Sequence, residues 1–253
     1  MFKGFYDASS AMLTQTRNLD VVGNNMSNIA TAGYKIDRYA NSTFDEVMRS
    51  RIGNKQKAPQ ELGTTTSYIT ALTEVRTVHT QGVMQPTGLP LNFALEGSGF
   101  FAVQTADGLR YSRNGAFMLD DQGYLYLPGQ GRVMGSNNQP IYLGTDSFNA
   151  QADGTITTEN GQVLGQLGVF DFEDPAQTLE KVGEGMFVPI GAAQPQAANN
   201  VIVRHKHLER SNIDMVQQMV DMITCQRALQ SASQISKMYD QLMTKSTTEI
   251  GRV

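Results

Sequence analysis

The chain has one cysteine and no tryptophan among its 253 residues, and it has no long apolar run. The single Cys225 excludes an intramolecular disulfide framework and a metal site built from several thiolates. Because no stretch of 18 consecutive apolar residues occurs, we predict no transmembrane helix and no direct insertion into a membrane. Lysine and arginine form no block, and the formal net charge is −4. Nucleic acid is therefore not an expected partner, since phosphate binding needs a concentrated basic surface.

The N-terminus also lacks the features of a secretory signal. Lys3 is present, but no continuous apolar segment and no A-x-A cleavage site follow it. We therefore expect a protein that either stays in the cytosol or leaves the cell by a route that needs no cleaved signal peptide.

What the first thirty residues do contain is a heptad-like apolar pattern. Its spacing is 3-4-3-4-3-4-3 with one polar position, and it comprises Phe5, Ala8, Met12, Gln15, Leu19, Val22, Met26 and Ile29. This spacing is typical of a coiled-coil seam, although it also fits an ordinary amphipathic helix packed on its own domain. Gly33 is a natural left-handed C-terminal cap, so we predict that the helix ends near Ala30–Gly33.

The middle of the chain has the periodicity of strands. We interpret residues 36–75, which are polar and contain Pro59, as an extended connector that could hold a short helical turn at 43–51. From about residue 69 the apolar period becomes two. Turn signals typical of hairpins follow at Asp107-Gly108, Asp121-Gln122-Gly123, Asp153-Gly154 and Asn160-Gly161. We predict an antiparallel β domain over residues 76–205.

The last segment, residues 206–253, is predicted to form a second long helix. Ser211-Asn212-Ile213-Asp214 fits a capping box, in which the Ser211 hydroxyl accepts from a first-turn amide and Asp214 reaches back. No proline or glycine interrupts residues 211–250. A broad apolar stripe of helical spacing runs along it, comprising Met215, Met219, Met222, Ile223, Leu229, Ala232, Ile235, Tyr239 and Leu242.

The predicted fold class is therefore α+β, with long N- and C-terminal helices forming a coiled-coil layer and a central antiparallel all-β domain. The segments are a helix at 1–35, a connector at 36–75, a β-rich domain at 76–205 and a helix at 206–253. Each terminal helix can cover only part of the other's stripe. Eight of the 13 methionines fall within 1–29 and 215–243, and methionine surfaces adapt to several non-identical neighbours. These features favour an assembling subunit over a self-contained enzyme.

Two motifs could suggest ligand binding, and each has a simpler structural explanation. Gly97–Phe101 resembles a phosphate-binding loop, but it lacks the following Lys-Ser/Thr and opens no helix. A tight turn before a buried strand explains it better. His205 and His207 lie on one face of a strand, but His79 is the only other histidine and no acidic cluster is adjacent. Solvated histidines on a strand are the better interpretation than a metal pair.

Carboxylates and the thiol give no catalytic arrangement either. Asp120-Asp121 and the acidic residues of 171–174 could suggest hydrolase chemistry, but they coincide with turn signals, where aspartate bonds its own backbone. Cys225 lies on the helical stripe with no histidine nearby, as expected for a buried thiol. We predict no catalytic residue, no cofactor and no metal site, and hence no enzyme.

Several motifs, taken together, resemble the rod and hook axial proteins of the bacterial flagellum. DVVGNNMSNIATAGYK at 20–35 is similar to that family's N-terminal signature, which runs roughly LDVIANNIANxxTxGFK. The resemblance continues in family order through LNFALEGSGFFAV at 91–103, YSRNGAF at 111–117, SNID at 211–214, Met222-Ile223 and QRA at 226–228. Departures occur where Gly23 replaces a usual alanine and Leu229 a usual tyrosine. Ala232 and Gln234 replace an asparagine and a lysine that are common there. Proximal and distal rod types both stay open.

The resemblance implies a structural subunit of the flagellar basal-body rod, with a length closer to rod proteins than to the longer hook protein. In that family the terminal helices form an inner coiled-coil layer around an export channel, and the β domain forms an outer layer. Self-assembly would let the rod transmit torque from motor to hook. Copies of the same chain and other rod and hook axial proteins are the implied partners. The implied location is the basal body outside the cytoplasmic membrane, reached unfolded through the flagellar type III export apparatus.

Periodicity and resemblance together give a candidate assembly interface on the two helices. It comprises Phe5, Met12, Leu19, Val22, Asn24, Asn25, Met26, Asn28, Ile29, Met219, Met222, Ile223, Gln226, Arg227, Leu229, Ile235, Tyr239 and Leu242. The amides of Asn24 and Asn28 can both donate and accept across an interface, although fraying at a helix end would also explain these residues. Two other functions stay open at this point: a hook or hook-associated axial protein, and a secreted cell-wall hydrolase.

Overall fold

The computed structural model describes residues 2–43, 47–51, 60–65, 70–183, 185–191, 193–198 and 201–250. Within these residues, helix α1 spans Phe2–Ser27 and helix α3 spans Met215–Ile250, with a four-residue helix α2 at Pro175–Thr178. Strands occupy most of the chain between α1 and α3. The fold class is mixed α+β with antiparallel sheets and a long C-terminal helix, as predicted.

The chain forms two compact units. Unit 1 comprises Met1–Asn24, Arg38–Arg76 and Val216–Val253, and unit 2 comprises Asn25–Asp37 and Thr77–Met215. Each unit is therefore built from segments that are distant in sequence. None of the described helices is long and apolar enough to cross a membrane.

Unit 1 contains most of both long helices together with strands from the segment interpreted as a connector. Strands β1 (Asp37–Thr43) and β4 (Thr70–Thr77) pair, and β2 (Val47–Arg51) pairs antiparallel with β3 (Gln60–Thr65). The helical turn expected at 43–51 is wrong, because β2 occupies most of that segment. A single helical turn has little stability of its own, so pairing with a neighbouring strand prevails.

Unit 2 is organised around a nine-stranded antiparallel sheet. Seven strands run in the order β16-β17-β8-β7-β11-β10-β9, while β15 pairs with β7 and β18 pairs with β15. Their bounds are β7 Phe100–Thr105, β8 Gly108–Ser112, β9 Met118–Leu119, β10 Leu125–Leu127, β11 Gly131–Val133, β15 Val169–Asp171, β16 Leu179–Val182, β17 Met186–Pro189 and β18 Gln196–Ala197.

Three smaller antiparallel sheets complete unit 2. Strands β12 (Phe148–Ala150), β13 (Thr155–Thr158) and β14 (Val163–Gln166) form a meander. The other two sheets each pair an early strand with a late one, namely β6 (Phe93–Glu96) with β19 (Ile202–His205), and β5 (Met84–Pro86) with β20 (His207–Glu209). The last two pairings hold residues just before α3 against the start of the β region.

The four predicted hairpin turns are confirmed. Gly108, Gly123, Gly154 and Gly161 all adopt positive φ angles, between 79° and 126°. They join β7 to β8, β9 to β10, β12 to β13 and β13 to β14, which are antiparallel pairs. Glycine tolerates such angles because it has no Cβ.

The core of unit 2 lies beneath the nine-stranded sheet and the meander. Its largest cluster joins Phe93, Phe101, Leu125, Val133 and Ile156, all fully buried. A second cluster lies around Phe100 and Phe187. Adjacent residues Phe100 and Phe101 enter different clusters because successive side chains of a strand point to opposite faces. Gly97 and Gly99 precede β7 at φ angles of 111° and 142°, so the predicted tight turn before a buried strand is confirmed.

Candidate assembly surface

On α1, most of the predicted seam is half-buried within the chain. Among the candidate residues of α1 and the turn that follows it, Met12, Leu19, Val22, Met26, Asn28 and Ile29 are half-buried, whereas Phe5 and Asn24 are exposed. Leu13 is also exposed, and the heptad pattern did not include it.

Asn25 has a structural contact that the sequence did not predict. Its side chain is buried, its Nδ2 donates to the Asp37 carbonyl oxygen at 2.8 Å, and its Oδ1 accepts from the Asp37 amide at 3.0 Å. This paired contact fixes the last turn of α1 to the first residue of β1. A role of Asn25 in an interface between subunits stays a prediction.

Helix α3 carries two distinct rows, one mostly apolar and the other entirely apolar, where the sequence indicated one broad stripe. The first row is half-buried or buried at a regular 4-3 spacing, and it comprises Gln218, Met222, Cys225, Leu229, Ala232, Ser236, Tyr239 and Met243. The second row is 42–71% exposed, and it comprises Met215, Val216, Met219, Val220, Ile223, Ile235, Met238 and Leu242. We call the second set the exposed row. Of the remaining candidate residues, Gln226 and Arg227 are exposed.

The two long helices approach each other closely at one point within unit 1. Gly4 of α1 faces Tyr239 of α3, and a Cβ atom at position 4 would fall on the Tyr239 hydroxyl. Tyr239 belongs to the half-buried row of α3. That row therefore has a neighbour inside the chain at this point, whereas the side chains of the exposed row are open to solvent.

Three charged side chains of unit 2 form a fully buried cluster. Lys35 Nζ lies 2.5 Å from Glu209 Oε1, and Arg113 Nη1 lies 3.4 Å from Glu209 Oε2. The exposed fractions of the Lys35, Arg113 and Glu209 side chains are 1%, 4% and 0%. We call these three residues the buried clamp. Burial lowers the pKa of both the Lys35 amine and the Arg113 guanidinium, and the Glu209 carboxylate opposes that effect.

Hydrogen bonds to the backbone complete the clamp. Gly82 N donates to Glu209 Oε1 at 2.8 Å, and Lys35 Nζ donates to the Thr80 carbonyl at 2.9 Å. Gly33, at φ 66°, donates its amide to the Glu209 carbonyl, and a Cβ there would meet the backbone of Arg113. Helix α1 ends at Ser27, so the expected role of Gly33 as its cap is wrong. The residue is needed for close backbone approach instead.

Lys181 adds a second ion pair beside the clamp. Its Nζ donates to the Lys35 carbonyl at 2.9 Å and to Asp37 Oδ2 at 2.8 Å, and it lies 3.6 Å from the centre of the Tyr34 ring. Burial, followed by the nearby Asp37 charge, raises the pKa of Tyr34. The segment 33–37 after α1 is thus fixed by both charge and backbone contacts.

The predicted capping box at the start of α3 is wrong. The helix begins at Met215, and Ser211 Oγ is buried without a hydrogen-bond partner in the described structure. Asn212 makes the hydrogen bonds of this motif instead. Its Oδ1 accepts from Ile36 N at 2.8 Å, and its Nδ2 donates to Val78 O at 2.9 Å. The motif therefore joins the segment before α3 to the segment after α1.

A surface pocket of about 670 Å³ lies in unit 2 beside this motif. Ile29, Val83, Ile213 and Met215 supply its apolar lining, and Arg210 and Asp214 also line it. Ile29 was predicted to belong to the assembly interface, whereas Val83 gave no signal in the sequence because it lies outside both helical patterns. The pocket contains the first residue of the exposed row.

The residues considered for chemistry have structural contacts. His205 Nε2 lies 2.7 Å from the Pro90 carbonyl, and His207 Nδ1 lies 2.7 Å from the His205 carbonyl. Burial raises the pKa of the half-buried Cys225 thiol, which disfavours the nucleophilic thiolate. No group of three or more potential metal-binding side chains occurs within the residues described.

Family comparisons identify three matching regions. Residues 5–35 match the model described as flagella basal body rod protein, residues 94–135 match the flagellar hook protein FlgE/F/G D1 domain, and residues 204–249 match the flagellar basal body rod FlgEFG protein C-terminal region. The three regions include the N-terminal signature, the segment through Arg113, and α3.

Whole-chain relatives agree with these matches. The chain is 30% identical to the flagellar basal-body rod protein FlgG of Bacillus subtilis, over 96% of this chain and 97% of the relative. It is 31% identical to the flagellar hook-basal body complex protein FlhO of the same organism, over the full length of both. It is also 28% identical to the flagellar basal-body rod protein FlgF of Mesorhizobium japonicum, over 94% of this chain and 93% of that relative.

Proposed function

Because the chain belongs to the flagellar basal-body rod protein family, we propose that it is a structural subunit of the rod that self-assembles into a tubular axial structure. The relatives named above are rod or hook-basal body proteins, so a flagellar location and association with other rod and hook components accompany the family.

The observation that carries the proposal is the exposed row of α3. Eight apolar side chains on one helix remain 42–71% exposed, while a separate row of the same helix is already half-buried. Five of the eight lie within Met215–Ile223 and three within Ile235–Leu242, and clustered exposed apolar surface on a soluble protein marks an interaction site. A helix that uses one row inside its own chain and offers a second row outward is suited to joining neighbouring helices into a continuous layer.

In the proposed assembly, α1 and α3 of many copies form an inner coiled-coil layer that encloses the export channel. Unit 2 lies outside that layer, and the tube transmits torque from motor to hook. The chain reaches its position through the flagellar export apparatus. A position at the junction with the hook is a second candidate, supported by the similarity to the hook-basal body complex protein over the full chain.

The test compares two aspartate substitutions on the same helix. Ile223→Asp places a charge in the exposed row, whereas Gln230→Asp places it at an exposed polar position of α3. Self-association of the purified full-length chain is measured by sedimentation over a range of concentrations, with helix content followed by circular dichroism. We expect Ile223→Asp to abolish association and Gln230→Asp to preserve it. Undiminished association of Ile223→Asp would refute the assembly role of the row.

A further inference from the structure

An aromatic cluster lies on the face of the unit 2 sheet opposite the core side of β10. Leu125 and Leu127 of β10 point into the core, so Tyr124 and Tyr126 point to the opposite side of the sheet. The strand register places Met118 and Arg132 directly opposite Tyr126, and a β-bridge joins Tyr124 to Tyr142. Residues directly opposite share a face. We call Met118, Tyr124, Tyr126, Arg132 and Tyr142 the tyrosine face.

The side chains of the tyrosine face are fixed against one another. The Arg132 guanidinium carbon lies 4.3 Å from the centre of the Tyr124 ring, and the Tyr124 and Tyr142 rings pack edge to face at 5.4 Å. Tyr142 lies so close to Gly123 and Gly144 that a Cβ at either glycine would be within 3.0 Å of its ring or hydroxyl. Although fixed, Tyr142 and Met118 are 54% and 52% exposed. A rigid surface loses little conformational entropy when a partner covers it.

The charged group of this face, the Arg132 guanidinium, is already paired within the chain. Arg132 Nε donates to Asp120 Oδ2 at 3.0 Å, and Arg132 Nη2 donates to Gln122 Oε1 at 2.6 Å. Covering the guanidinium would therefore leave no unpaired charge, which is the main cost of burying an arginine. The arrangement favours a protein surface as the occupant.

The amino-acid composition around the tyrosine face is typical of a protein–protein interface. Tyrosine, methionine and arginine are enriched in interface cores, whereas lysine is depleted. No lysine occurs between Lys57 and Lys181, an interval that contains the whole face. Residues 77–180 of unit 2 therefore lack the residue type that interfaces most avoid.

Charge distribution indicates which protein surface fits. Residues 84–200 contain twelve aspartates and glutamates against four lysines and arginines. The rest of the chain has the opposite balance, with sixteen basic residues against twelve acidic ones. Two β regions would repel each other, but the β region of one copy and the terminal regions of another attract. Such a contact is heterologous, the type that extends into open helical assemblies.

We propose that the tyrosine face docks onto a second copy of this chain, against the net basic part formed by residues 1–83 and 201–253. The inference rests on the proposed self-assembly and adds a lateral contact, made by the β unit, to the contact made by the helices.

The experiment uses Tyr142→Ser in the full-length chain, with Val163→Ser as the matched control. Val163 is also an exposed strand residue of unit 2 but belongs to β14, outside the face. Sedimentation should show that Tyr142→Ser raises the concentration needed for half-maximal association at least tenfold, while Val163→Ser changes it less than twofold. Near-ultraviolet circular dichroism establishes that both variants are folded.

A photo-crosslinking amino acid at position 142 then identifies the occupant. Crosslinks to peptides from 1–83 or 201–253 of a second copy support the inference, and crosslinks to peptides from 84–200 overturn the heterologous contact. Association that Ile223→Asp abolishes and Tyr142→Ser leaves unchanged overturns the inference alone. A wild-type chain that never associates overturns the proposed function as well. Binding of N-acetylglucosamine oligomers at this face, without an effect on association, overturns the inference in favour of a glycan.

Discussion

Glu209→Gln should destabilise unit 2 far more than any surface charge change of the same kind. The substitution keeps the shape of the side chain but removes the negative charge of the buried clamp. Lys35 and Arg113 would then remain as buried cations whose other partners are backbone carbonyls, including those of Thr80 and Gly97. Breaking a buried ion pair by removing one partner costs about 3–5 kcal/mol.

The control is Glu96→Gln. Glu96 pairs with Arg204 at 2.7 Å, but the two side chains are 45% and 50% exposed, respectively. An exposed pair contributes about 0–1 kcal/mol. Although both glutamates pair with a basic side chain in unit 2, the losses of unfolding free energy caused by the two substitutions should therefore differ by several kilocalories per mole. A second variant combines Glu209→Gln with Lys35→Met. Because Lys35→Met removes one of the two unpaired cations, the double variant should lose less unfolding free energy than the two single variants added together.

Urea unfolding of the full-length chain measures these differences. The chain has nine tyrosines and no tryptophan, so near-ultraviolet circular dichroism of tyrosine is the appropriate signal. With an m value of about 2 kcal/mol per molar urea, the expected loss lowers the midpoint by roughly 2 M. A Glu209→Gln midpoint within about 0.5 M of the Glu96→Gln midpoint would refute the view that the clamp charges are mutually dependent.

Two further predictions concern a helix contact and a buried histidine. A methyl group at Gly4 would meet the Tyr239 phenol, so Gly4→Ala should cost about 1–3 kcal/mol. At Gly23 of the same helix a Cβ would have nothing within 4 Å, so Gly23→Ala should stabilise the protein by up to about 1 kcal/mol. Equal changes in the thermal unfolding midpoints of the two variants would contradict the contact between Gly4 and Tyr239. Burial, and then nearby cations, lower the pKa of His79 to about 4, whereas an unfolded histidine titrates near pH 6.5. The unfolded chain therefore binds more protons between those values, and stability falls as the pH drops through that window. His79→Phe should reduce this acid-induced loss of stability by about 1–2 kcal/mol, a value that takes into account the partial exposure of the ring. Unfolding of both proteins at several pH values between 4 and 7 measures the difference.

The features predicted well from the sequence are those set by local chemistry. The turns at Gly108, Gly123, Gly154 and Gly161 follow from residues that favour positive φ. The continuous apolar run Phe100–Val103 of β7 likewise predicts a buried strand whichever sheet it joins. The helical turn predicted at 43–51 is wrong because β2 pairs with β3 at residues 60–65. Neither segment, taken alone, indicates that it forms a strand.

The candidate site was predictable only in part, because its organisation depends on long-range contacts. Periodicity identifies apolar positions such as Leu229 and Ile235 on one helix, but it cannot separate the half-buried row from the exposed row. That separation depends on what packs beside α3. Lys35 and Glu209 gave no signal as partners, since 174 positions separate them in the sequence. Ser211 and Asp214 matched a capping box because residue types alone do not specify where the helix begins.

The buried clamp also has a consequence for the order in which the chain acquires its structure. Lys35 belongs to the first seventh of the sequence, and the carboxylate that neutralises it comes only 174 residues later. Closing so long a loop is entropically costly and slow compared with forming the local hairpins. Any shorter length of chain, from Lys35 to a residue before Glu209, would have to place two cations in an apolar interior without their anion. The hairpins of unit 2 can therefore form early, but the unit closes only when the strand immediately preceding α3 is present.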